Sequence, residues 1–126
     1  MADETPKPKI LLVEDDAFMV ELLVHALGTA GFNLSVAKTG AEGLQKFKEE
    51  NPALILLDLL LPDDNGLEVL RKIRREPQGS QVKVLVLSNV GETDSVEEAK
   101  RLGAVDYLVK ANASLPEIIE KVRGLL

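Results

Sequence analysis

The chain has 126 residues, 45% of them hydrophobic and 29% charged, which suits one domain with its own core and leaves little room for a second. Lys and Arg number 15 against 21 Asp and Glu, so the net charge is −6, a poor electrostatic match for nucleic acid, and no direct nucleic-acid contact is expected. The absence of Cys excludes disulfides, thiolate metal sites and cysteine nucleophiles.

Residues 1–8 hold Asp3, Glu4, Pro6 and Pro8 and read as a flexible tail ahead of a domain over 9–126. No basic and apolar leader stands at Met1-Ala2-Asp3-Glu4. The first apolar run, Ile10-Leu11-Leu12-Val13, has the unbroken character of a strand buried on both faces. Met19, Leu22, Leu23, Ala26, Leu27 and Ala30 then recur at helical spacing, and Gly31 stands where a left-handed C′ residue would stop the helix. Leu34 to Ala37 reads as the second strand. Thr39-Gly40-Ala41-Glu42 reads as a capping box opening a helix whose inner face is Ala41, Leu44 and Phe47. Leu54 to Leu57 is the third strand. A helix from Asn65 follows, with Val69, Leu70 and Ile73 inward and the basic run Arg71-Lys72, Arg74-Arg75 solvated at its end. Val82 to Leu87 is the fourth strand, followed by a helix over about 94–102 that buries Val96, Ala99 and Leu102 and stops at Gly103. Tyr107 to Val109 is the fifth. Ser114-Leu115-Pro116-Glu117 opens the last helix, which buries Ile118, Ile119 and Val122.

Five alternations of strand and helix predict an α/β fold: a (βα)5, doubly wound, five-stranded parallel sheet, since five units cannot close an eight-fold barrel. The longest apolar stretch, Ala53 to Leu61, is broken by Asp58 and falls short of the ~20 residues of a membrane span, so no membrane partner and a cytoplasmic location are expected. In open sheets of this kind the chemistry lies outside the C-terminal ends of the strands.

Those ends carry Glu14-Asp15-Asp16, Asp58, Ser88-Asn89 and Lys110. Each has an ordinary reading by itself: Asp16 as a helix cap, Ser88 as a loop cap, Lys110 as a solvated side chain. Asp58 resists such a reading, because a charge inside a nine-residue apolar run is costly unless it is paired or reactive. Glu14, Asp15 and Asp58 together would repel one another, and a hard divalent cation, Mg2+, is what carboxylate oxygens with a carbonyl and waters suit. The same crowding predicts that Asp58→Asn stabilises the metal-free protein. With a cation present, Asp58 can attack phosphorus, while Lys110 and Ser88 supply an ammonium and a hydroxyl to the transferring oxygens.

Four segments at these strand ends are diagnostic together: Ile10 to Asp16, Leu56 to Gly66, Val84 to Asn89 and Gly103 to Lys110. In this set the chain resembles the receiver domains of two-component response regulators. The resemblance implies a flavodoxin-like strand order 2-1-3-4-5 and a phosphoacceptor role for Asp58. It implies a metal site of Glu14, Asp15, Asp58 and the backbone carbonyl of Leu60, and a switch pair of Ser88 and Tyr107. Lys110 would pair with the acids and then with the phosphoryl group. The implied partners are a sensor histidine kinase or phosphotransfer protein and a downstream protein that reads helix 4, strand 5 and helix 5, about residues 92–126. It implies a signalling switch and not an enzyme that turns over an external substrate. The chain is read as lacking an output domain of its own, an excised receiver being equally consistent. The alternative is a phosphorylation-independent interaction module on the same fold.

Two positions depart from the family pattern. Ala111 stands where proline usually follows the lysine, which predicts either a trans bond with a rearranged loop or a strained cis bond. Leu60 and Val90 are apolar where water-orienting groups would speed loss of the phosphoryl group, which predicts a long-lived phosphorylated state. A phosphatase with an Asp-x-Asp nucleophile and a flavin carrier with a Ser/Thr-rich phosphate loop both lack their motif after the first strand.

Overall fold

A computed structural model describes residues 7–126, so most of the expected tail at 1–8 lies outside the described residues. The strands are β1 (Lys9–Val13), β2 (Asn33–Ala37), β3 (Leu54–Leu57), β4 (Lys83–Ser88) and β5 (Asp106–Val109). The helices are α1 (Ala17–Thr29), α2 (Gly40–Glu50), α3 (Gly66–Arg75), α4 (Thr93–Arg101) and α5 (Leu115–Leu125), with short 3-10 turns at Pro77–Gly79 and Lys110–Asn112. All four strand pairings are parallel and the order is β2-β1-β3-β4-β5, the doubly wound topology expected from the alternation. Register brings the strand tips together: Val13 lies beside Leu57, Leu57 beside Val86, and Ser88 beside Val109.

The unbroken apolar runs have a simple cause. Successive residues of a strand point to opposite faces, and here both faces are covered. Ile10, Leu12, Leu54, Leu56, Leu85 and Leu87 pack beneath α1 and α5, while Leu11, Val13, Ile55, Leu57 and Val84 pack against α2 and α3. Each fully buried Leu or Ile contributes about 1.5–3 kcal/mol relative to exposure.

Helix ends follow their residues closely. Gly31 (φ 103°) and Gly103 (φ 82°) occupy left-handed positions just past α1 and α4. In each case the next N–H reaches back, Phe32 to the Leu27 carbonyl and Ala104 to that of Ala99, which completes a Schellman motif. The capping box at Ser114 is complete. At α2 it is only half formed: Thr39 accepts from the Glu42 N–H, but the Glu42 carboxylate takes the N–H of Lys38. The inner face of α2 also differs from expectation, since Ala41 is exposed and Gly43 is buried against Val13. A residue with no side chain carries no hydropathy signal, so this close approach was hidden. Asn51, left-handed at φ 50°, caps the end of α2.

Arg74 corrects the reading of a solvated basic run. Its guanidinium is half-buried and donates to the carbonyls of Gly79, Val82, Leu102 and Gly103, joining the α3–β4 and α4–β5 connections at the end of the sheet away from the strand tips. Burial holds its pKa below the ordinary guanidinium value. No described helix is long and apolar enough to cross a membrane.

Candidate functional site

Glu14, Asp58 and Lys110 extend the ends of β1, β3 and β5 into one cleft of about 380 Å³, lined also by Asp15, Asp16, Leu60 and Asn89, and Ser88, the last residue of β4, lies buried behind Asp58. Glu14, Asp58 and Ser88 are the buried polar residues among the described ones. The parallel register places them there, because each strand stops where its hydrophobic run stops.

Asp58 is held at both oxygens. Oδ1 accepts the Ser88 hydroxyl at 2.7 Å and the Leu60 N–H at 3.1 Å, and Oδ2 faces the Lys110 ammonium at 3.0 Å. Lys110 also pairs with Glu14, whose second oxygen takes the Asp16 N–H at 3.2 Å. Burial pushes the Asp58 carboxyl up, but Ser88, the Leu60 N–H and Lys110 outweigh it and hold the group below the ordinary aspartate value. For Glu14 burial prevails over Lys110 and the Asp16 N–H, and its pKa is raised. Burial alone would lower Lys110, yet its bonds to Glu14 and Asp58 leave it raised and firmly protonated. The crowding expected of the acids is therefore relieved by an internal cation, and Asp58→Asn, which removes one of its partners, is expected to destabilise the metal-free protein and not to stabilise it.

One carboxylate oxygen from each of Glu14, Asp15 and Asp58 lies within 4.8 Å of the others. Three hard oxygen donors at that spacing, with Asp15 exposed at the mouth, fit a divalent cation with room for waters. Asp16 caps α1 through the N–H groups of Phe18 and Met19 at 2.9 and 3.2 Å, which is the ordinary role expected for it.

Ser88 connects the cleft to its surroundings. While its hydroxyl donates to Asp58, its oxygen accepts weakly from the Leu59 and Val90 N–H groups at 3.4 and 3.3 Å. The Tyr107 hydroxyl donates to the Val90 carbonyl, and its ring packs against the cluster of Leu59, Leu67, Val86 and Ala99. Burial raises the tyrosine pKa, with Asp58 and Glu92 adding to it. A path of hydrogen bonds thus runs from Asp58 through Ser88 and Val90 to Tyr107.

Among the described residues no peptide bond is cis, so the Lys110–Ala111 bond is trans and the loop takes a 3-10 turn over Lys110–Asn112.

The sequence reading missed Asp63. From the β3–α3 loop its carboxylate accepts the N–H groups of Gly40 and Ala41 at 2.7 and 3.0 Å and so caps α2 from another element. These bonds hold its pKa down. The close approach depends on Gly40, where a Cβ would lie 2.7 Å from Val69 Cγ2. Its setting in Pro62-Asp63-Asp64 resembles any polar turn, so no local signal marked it.

A family model described as the response regulator receiver domain matches residues 10–123. Among curated proteins, the alkaline phosphatase synthesis transcriptional regulatory protein SphR of Synechococcus elongatus is 38% identical, over 97% of this chain and 50% of its own length. The DNA-binding response regulator MtrA of Mycobacterium tuberculosis is 35% identical, over 98% of this chain and 52% of its own. The chain spans about half the length of these relatives. Among solved structures, the chemotaxis response regulator CheY4 of Vibrio cholerae superposes with a TM-score of 0.88 at 25% identity, covering 96% of this chain and 100% of that one. A CheY-like receiver domain protein of Methanospirillum hungatei gives 0.87 at 27% identity, covering 94% and 93%. The names of the curated relatives overturn the expectation that nucleic acid is no partner. The charge argument concerned these 126 residues alone, and the relatives are about twice as long.

Proposed function

The chain belongs to the response regulator receiver family, and on that premise we propose that it is an aspartyl-phosphate switch, charged at Asp58 by a sensor histidine kinase, a phosphotransfer protein or a small phosphodonor. Receivers are signalling switches, not enzymes that turn over an external substrate. The observation that carries the proposal is the set of partners on Asp58: a hydroxyl, a backbone N–H and an ammonium converging on one buried carboxylate.

Mg2+, held by Glu14, Asp15, Asp58 and the Leu60 carbonyl, would neutralise the transferring oxygens. In transfer, an Asp58 oxygen forms a bond to phosphorus as the bond to the donor's leaving group breaks, and the leaving group departs with the electron pair. Lys110 is placed to exchange its contact with Asp58 for one with a phosphoryl oxygen. Ser88 then loses its acceptor on Asp58, and its hydroxyl has reason to turn to the same phosphoryl group. That turn alters the bond to Val90 and, through it, the contact of Tyr107. A two-state surface is thus biased by the contacts of one group. The responsive face is α4, β5 and α5, and its reader, by the names of the relatives, is a DNA-binding transcriptional output. The reading places the switch in the cytoplasm, in keeping with a chain free of Cys.

Intact-mass spectrometry after incubation with Mg2+ and acetyl phosphate tests the proposal. One added phosphoryl group in the parent, absent from Asp58→Asn, is the expected result. No gain in mass, together with no binding of beryllofluoride, would refute it and favour a phosphorylation-independent interaction module.

A further inference from the structure

Asn89 has no part in the scheme above, yet it lines the cleft beside the four carboxylates and Lys110. Its Oδ1 accepts the backbone N–H of Ala111 at 3.0 Å. Ala111 can donate only because it is not proline, which has no N–H. With Oδ1 fixed across the mouth of the cleft, the planar amide has one free end. Its Nδ2 donors have no protein partner among the described residues, whereas Lys110 is engaged by Glu14 and Asp58 and the Ser88 hydroxyl by Asp58.

The incoming ligand makes that free donor useful. A phosphodonor carries anionic oxygens, which accept hydrogen bonds. When ionised, Glu14, Asp15, Asp16 and Asp58 against Lys110 leave three net negative charges in the cleft. A divalent cation offsets two of them, so an entering phosphate group still meets net repulsion. A neutral amide donor at the mouth attracts such a group without engaging the carboxylates, as an added cation would.

Resting on the phosphoacceptor reading of Asp58, we propose that Asn89 is a phosphodonor-binding residue, its Oδ1 anchored on the Ala111 N–H and its Nδ2 donating to a phosphoryl oxygen of the incoming donor. Asn89 then sets how tightly donors bind, and the Ala111 N–H sets which way the amide faces. A proline at position 111 would free the amide to rotate.

Two substitutions separate the two ends of the amide. Asn89→Ala removes both. Asn89→Asp keeps an acceptor for Ala111 and replaces the donor with a negative charge. Beryllofluoride titrations by calorimetry in Mg2+ and the half-saturating concentration of acetyl phosphate by intact mass provide the readouts, and melting temperatures show that both variants fold. Asn89→Ala is expected to weaken beryllofluoride binding and raise half-saturation about tenfold, the scale of one hydrogen bond to a charged group, with the saturated rate little changed. Asn89→Asp is expected to be worse, by about a hundredfold. An Asp variant that behaves like the parent would show a tie between loops and overturn the proposal. So would variants that change only the saturated rate. A parent that neither gains mass nor binds beryllofluoride would instead overturn the phosphoacceptor reading itself, and this assignment with it.

Discussion

Gly66 holds the loop that follows Asp58, and its replacement by Ala links packing to the cleft. Its N–H donates to the Leu59 carbonyl at 2.9 Å, and the neighbouring Asn65 bridges to Leu60. A Cβ at residue 66 would lie 2.4 Å from the Asp58 carbonyl oxygen and 2.6 Å from Leu59 Cα, both backbone atoms. Carbon and carbonyl oxygen approach comfortably to ~3.3 Å, so the two backbones must separate by about 1 Å. Overpacking of this kind costs about 1–3 kcal/mol. Because neither contact is the yielding end of a side chain, the upper half of that range is expected. For a chain of this size that is a fall in melting temperature of roughly 6–15 °C. The displaced peptide is the one that carries Asp58, and a misplacement of ~1 Å at a reacting group costs about a hundredfold in rate. Thermal melts and the rate of mass gain from acetyl phosphate with Mg2+ measure the two effects. Gly28→Ala is the control: nothing lies within 4 Å of its Cβ position on α1, and a gain of about 0.5–1 kcal/mol is expected. A Gly66→Ala protein that melted and reacted like the parent would refute the packing argument.

Asp58→Asn is expected to lower the stability of the metal-free protein at neutral pH by about 3 kcal/mol, the low end for a broken buried pair because Glu14 still holds the Lys110 ammonium, read as a lower melting temperature; a higher melting temperature would mean that repulsion among the acids dominates. Asp63, held below the ordinary aspartate value by two N–H groups of α2, stabilises the fold fully above that ordinary value and ceases to do so as the pH falls through its depressed one. Asp63→Asn, with one acceptor for two donors, should flatten the acid limb of melting temperature against pH, and an unaltered limb would contradict this. Loss of the phosphoryl group should be slow in the parent and faster in Leu60→Asn or Val90→Glu, followed by intact mass after removal of the donor; unchanged decay would dismiss the role given to these apolar residues.

The strands were legible because burial on both faces leaves no polar interruption, so Ile10 to Val13 and Leu54 to Leu57 stand out as runs. The cleft was legible for the same reason. Asp58 and Glu14 are charges at the ends of such runs, and parallel pairing brings run ends together. The bonds of Asp63 to Gly40, of Arg74 to Gly103 and of Asn89 to Ala111 span more than twenty residues each and join side chains to backbone. Backbone groups look the same at every position, so such bonds leave no pattern in the residue types. Burial of Gly43 in place of Ala41 was hidden likewise, by a position without a side chain.

Arg74 binds neutral carbonyls only, and nearby Lys83 donates to the carbonyl of Leu125. Protonation leaves such acceptors intact and keeps both donors charged. The opposite pole depends on the carboxylates of Glu14, Asp58 and Asp63, which lose their charge in acid. Acid therefore loosens the strand-tip pole directly, while at the other pole the carbonyls held by Arg74 and Lys83 are spared and the Asp106–Lys121 pair at the start of β5 is not. As the pH is lowered, amide hydrogen exchange should quicken first in the turns that cap the strand tips and last in the turns whose carbonyls Arg74 holds, so that unravelling has a direction written into the two kinds of acceptor.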